Sequence, residues 1–104
     1  MAKSGFEIRM DYKNAIRQAD SLTEVARELR RTADNDLQDC VAEISNNWTG
    51  DNSTAYVNKC NMLKSNILKT ADRLEKTAVT IRKIAKNTYD AEMKALQLAT
   101  VRKY

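Results

Sequence analysis

Covalent or acid–base chemistry needs a base, a nucleophile or a metal ligand held within reach of another such group. This sequence is poor in such sets. It has no histidine, which removes the commonest general base and the commonest metal ligand together. Cys40 and Cys60, its two cysteines, make no zinc site at any standard spacing. Serine and threonine hydroxyls are available, but none has a histidine partner or a glycine-rich elbow. The carboxylates read as helix surface among lysines and arginines, where nothing pushes a pKa toward catalytic use. No catalytic residue, metal or cofactor is expected, and the chain reads as non-enzymatic.

What remains is recognition chemistry. Lys69, Arg73, Lys76 and Lys83 fall at helical spacings and form a basic face. Such a face is either a solvated surface or a contact for an acidic partner helix, anionic lipid or nucleic acid. Nucleic acid is not expected there, because no aromatic residues interleave the cations and no binding motif is present. Charge is also uneven along the chain. Residues 1–47 carry seven Lys/Arg against nine Asp/Glu, whereas residues 51–104 carry eleven against five. The second half therefore keeps positive charge for something besides the first. No stretch approaches a membrane span, and the N-terminal residues show no apolar leader, so membrane binding is not expected.

The elements that position these residues follow from composition. A chain of 104 residues suits one domain. Proline is absent and glycine occurs only at Gly5 and Gly50, too little punctuation for the tight turns of an all-β fold. Small or apolar residues recur at steps of three and four: Tyr12, Ala15, Ala19, Leu22, Ala26, Leu29, Ala33, Leu37, Cys40, Ile44 and Trp48. A second stripe runs Tyr56, Cys60, Leu63, Ile67, Ala71, Leu74, Ala78, Ile81, Ala85, Tyr89, Met93 and Leu96. Each is the signature of one buried helical face. The weakest stretch, Arg30 to Asp36, turns only Ala33 inward and admits a local bend.

The pattern predicts a flexible arm over 1–10, helix 1 over 11–46 capped by Asp11, a turn over 47–52, helix 2 over 53–98, and a frayed tail over 99–104. Two helices joined by a short turn lie antiparallel. Each keeps an apolar shoulder, so the hairpin is expected to pair with another into a four-helix bundle. Cys40 and Cys60 lie equally far from Gly50 on the inward stripes. They are expected to approach each other, either as a disulfide or as two small buried thiols.

The most specific short motif is Trp48-Thr49-Gly50 at the chain midpoint, followed by Ala55-Tyr56 one turn into the second helix. The order Trp-x-Gly, polar cap, Ala-aromatic between two proline-free helices resembles the Trp-X-Gly (WXG) family of small type VII secretion proteins. The resemblance covers nearly the whole chain. It implies a homodimeric or heterodimeric four-helix bundle, exported without a signal peptide by an ATPase-driven machine. It further implies a secreted effector, or a partner of a larger toxin, cytoplasmic before export. In that family the Trp-x-Gly turn, here Trp48 and Gly50, helps form a surface read by the export ATPase. Many members also carry Tyr-x-x-x-Asp/Glu after the second helix. Here Tyr89 is followed at that distance by Met93, with Glu92 one residue early, so a partner is expected to supply that signal. From the residues alone, Trp48 also admits a reading as the last core aromatic of its helix, and Tyr89, on the buried stripe, reads as core. An intracellular helical adaptor for a coiled-coil client fits the same pattern.

Overall fold

A computed structural model describes residues 3–47 and 50–102, the Arg102 side chain excepted. The chain is all-α. Helix α1 spans Gly5–Arg31, a π-helical segment follows over Thr32–Leu37, α2 spans Gln38–Asn47, and α3 spans Asp51–Arg102.

Helix α1 begins at Gly5, not at Asp11 after a flexible arm. The reason is a capping box that the sequence contains as Ser4-x-x-Glu7. The Glu7 N–H donates to Ser4 Oγ at 3.1 Å, and the Ser4 hydroxyl approaches Glu7 Oε1 at 3.4 Å. The Ile8 N–H bonds the Ser4 carbonyl at 3.0 Å. The first of these contacts satisfies an N–H group that a helix start otherwise leaves open, and the last is the first bond of the helix itself. Asp11 sits within the helix and pairs with Lys3. Glu7 in the first turn complements the helix dipole.

The chain divides into two compact units. The first combines Met1–Leu22 with Lys76–Tyr104, and the second is Thr23–Glu75. Each contains two helical stretches running antiparallel, as their cross-helix contacts show. In the first unit Lys3 meets Glu92, Tyr12 meets Tyr89, and Asp20 meets Arg82. In the second, Arg30 meets Asp72 and Glu75, and Gln38 meets Lys64. Partners descend along α3 as they ascend along the preceding helices.

Alanine lines the interior. Ala19, Ala26 and Ala33 are fully buried at steps of seven, as are Ala71 and Ala78 on α3. A step of seven keeps one seam facing its mate, and a side chain of one carbon lets helix backbones approach closely. Ile8 and Val41 are also buried, and larger residues such as Leu22, Leu29, Ile67 and Ile81 flank that seam half-buried. Among the described residues no large side chain is fully buried, so the core is thin.

The regular step breaks in the π segment. After Ala33 a step of seven leads to Cys40, yet Val41 is the buried residue and Cys40 is exposed. A π-helical turn holds extra chain per turn, which moves the inward position one residue along. The local sequence Thr32-Ala33-Asp34-Asn35-Asp36 is poor in strong helix formers. The stripe therefore continues through Leu37, Val41 and Ile44, and the expected place of Cys40 on it is corrected.

Helix α2 ends at Asn47. Trp48 and Thr49 lie outside the described residues. Gly50 adopts φ 96°, a conformation that favours glycine. Its carbonyl accepts from the Ser53 hydroxyl at 3.1 Å and from the Thr54 N–H at 3.4 Å, closing the first turn of α3. Helix α3 thus starts two residues earlier than expected. It also continues to Arg102, so 99–102 are helical, while Lys103 and Tyr104 fall outside the described residues. Its inward line begins Ser53, Val57, Cys60, with Lys64 half-buried next; Tyr56 and Leu63 are exposed, contrary to the expected stripe. Lys64 is compatible with that line because its stem packs while its ammonium reaches Gln38 Oε1 at 3.0 Å.

Candidate partner interface

The residues singled out from the sequence do not converge on one site. Gly50 is exposed at the turn, and a Cβ added there would meet nothing within 4 Å. Tyr56 projects from the start of α3, 54% exposed. Cys40 is exposed on α2, Cys60 is half-buried on α3, and both are free thiols. Lys69, Arg73, Lys76 and Lys83 all lie exposed on α3. Tyr89 is half-buried and packs its ring against Tyr12, with centroids 5.1 Å apart and planes tilted 44°. Offset or tilted aromatic pairs at this distance are favourable.

Sequence reasoning missed the charged clasps. Arg30 donates to Asp72 at 2.7 Å and also to Glu75, two acids three residues apart on α3. This pairing raises the Arg30 pKa further above its already high ordinary value, with the Glu75 hydrogen bond the larger cause. Arg82 donates to Asp20 at 2.9 Å. Lys3 reaches Asp11 at 2.8 Å and Glu92 at 3.2 Å. Those hydrogen bonds, Asp11 foremost, raise the Lys3 pKa. Ionic residues opposite one another across an antiparallel register were the available signal, but reading them requires the register first.

In the first unit the Tyr12–Tyr89 pair lines two open grooves. One, of about 270 Å³, has a largely apolar wall that includes Ile8, Ala15, Ile81 and Ile84, with Lys3, Asp11 and Glu92 also lining it. The other is bounded by Arg9, Lys13, Lys86 and Asp90.

Large apolar side chains also stand in water: Phe6, Val79, Ile84 and Val101 in the first unit, Met62 and Leu63 in the second. Met62 is 67% and Val101 69% exposed. Single exposed apolar residues are ordinary, but several on a helical pair with an alanine-thin core leave much unburied area that another helix can cover. Among the described residues no helix is long and apolar enough to cross a membrane, and no group of three or more His, Cys, Asp or Glu could hold a metal ion.

No family model matches the sequence, and neither a curated protein nor a solved structure shows significant similarity to it.

Proposed function

We propose that this chain is a binding protein of the type VII secretion kind, a helical hairpin that pairs with another helical hairpin and is exported with it. The observation that carries the pairing is the set of exposed large apolar residues on helices whose inner face is mostly alanine. Such a hairpin gains from a second helical surface that takes those residues out of water. The partner is a second copy or a related hairpin, alone or as the N-terminal segment of a larger toxin.

Support for export comes from the turn. Trp48-Thr49-Gly50 joins two helices at the midpoint, Gly50 holds a positive φ, and Tyr56 stands exposed one turn beyond. Under this reading Trp48 and Gly50 contribute the surface read by the export ATPase. Met93 occupies the fourth position after Tyr89, so the partner contributes the C-terminal signal. The test is immunodetection of the intact chain in culture supernatant of its native host. Deletion of the export ATPase is expected to abolish that signal, and Trp48→Ala to reduce it several-fold. Retention of the wild-type chain inside intact cells would contradict export and favour an intracellular adaptor.

A further inference from the structure

The second groove, of about 340 Å³, is lined by Arg9, Tyr12, Lys13, Lys86, Tyr89 and Asp90. Two tyrosines share its lining with three cations and a single carboxylate. None of Arg9, Lys13 and Lys86 has an ion-pair partner among the described residues. The groove therefore combines aromatic surface with uncompensated positive charge, which suits an acidic segment carrying a small uncharged side chain.

The chain carries such a segment in its second unit. Asp36, Asp39 and Glu43 are exposed and likewise lack an ion-pair partner among the described residues. Asp39 and Glu43 lie one four-residue step apart on α2, on one side of that helix beside exposed Cys40, and Asp36 precedes them in the π segment. The spacings also match. Arg9 and Lys13 are one four-residue step apart on α1, and Asp39 and Glu43 one such step apart on α2. Each step rises about 6 Å at 1.5 Å per residue. Two carboxylates can meet two cations at once, leaving Asp36 for Lys86, and the small Cys40 side chain fits against the tyrosine rings.

We propose that this groove receives the acidic 36–43 face of a second copy of the chain. The proposal rests on the reading that the hairpin works by pairing, and it goes further by naming the partner and the contact. Charge complementarity selects the occupant, since the same sequence supplies both faces.

The test is light scattering after size exclusion on the full chain at micromolar concentration and low salt. Four samples are compared: wild type, Arg9→Glu with Lys13→Glu, Asp39→Lys with Glu43→Lys, and an equimolar mixture of the two double variants. All four substituted residues are exposed, and circular dichroism checks that helicity is kept. The milder Lys13→Gln and Glu43→Gln replace any variant that fails to fold. The wild type is expected to self-associate, each double variant to do so on the order of tenfold more weakly, and the mixture to recover association through swapped charges. Variants that associate like wild type would overturn the contact while leaving pairing intact. Weakened variants whose mixture does not recover would overturn the pairing of these two faces with each other. A wild type that stays monomeric would overturn the self-partner, while the export assay judges the secretion reading separately.

Discussion

At the residue scale, three residues have roles that single substitutions can isolate. Gly50 holds φ 96° with open space where a Cβ would go, so the cost of replacing it is one of backbone conformation and not of clash. Gly50→Ala is expected to lower stability by about 1–2 kcal/mol. Asn tolerates positive φ better, so Gly50→Asn should cost less. Urea unfolding at fixed protein concentration measures both. Ser4 caps α1, so Ser4→Ala should cost about 1 kcal/mol. The loss should be local, read as faster hydrogen exchange at the Glu7 and Ile8 amides. Lys3 bears on alkaline pH. Its pKa is raised above 10.5 by Asp11 first and Glu92 second, so the folded state holds this proton more tightly than the unfolded chain. The contribution is then fully present below the unfolded pKa and is lost as pH rises through the folded value. Thermal melts from neutral to strongly alkaline pH should show a smaller alkaline decline for Lys3→Met than for wild type.

The elements show which parts of the fold are legible in a sequence and which are not. The steps of three and four gave the helices and their pairing, and Gly50 marked the turn, because both depend on local chain properties. Register did not follow as directly. Tyr56, Val57, Cys60, Leu63 and Ile67 permit more than one stripe at helical spacing, and Tyr56 and Leu63 belong to a line that faces water. The facing helix makes that choice, through contacts far away in sequence. The start of α1 was legible in Ser4-x-x-Glu7 but lay before the first clear stripe. The π segment was visible only as a weak stretch, and its effect on Cys40 and Val41 depends on one extra residue in a turn. That gives a test. Deleting Asn35 should convert the segment to α-helix with Val41 and Ile44 still inward, leaving stability within about 1 kcal/mol of wild type. Deleting Ala42 from regular α2 should cost more, because it turns Ile44 off the seam. Urea denaturation of the two deletions compares them; equal losses would remove the role given to the π segment.

For the whole molecule, the same thin alanine seam that brings the helices together leaves apolar area uncovered. Large residues such as Phe6, Met62, Val79 and Val101 face solvent, not the seam. Enlarging the seam is no remedy, since it is already closed. Ala26→Leu or Ala71→Leu should force the helices apart and cost roughly 1–3 kcal/mol. The exposed apolar surface was legible in outline, because each helix was expected to keep an apolar shoulder. The Tyr12–Tyr89 grooves were not, since they arise where residues distant in sequence meet. The central claim is that a second copy of the chain covers the exposed apolar faces, and sedimentation equilibrium of the purified chain at micromolar concentration tests it most directly. The account predicts a helical species at twice the 11.8 kDa chain mass, dissociating on dilution. A fully helical, strictly monomeric species across the accessible concentration range would contradict it.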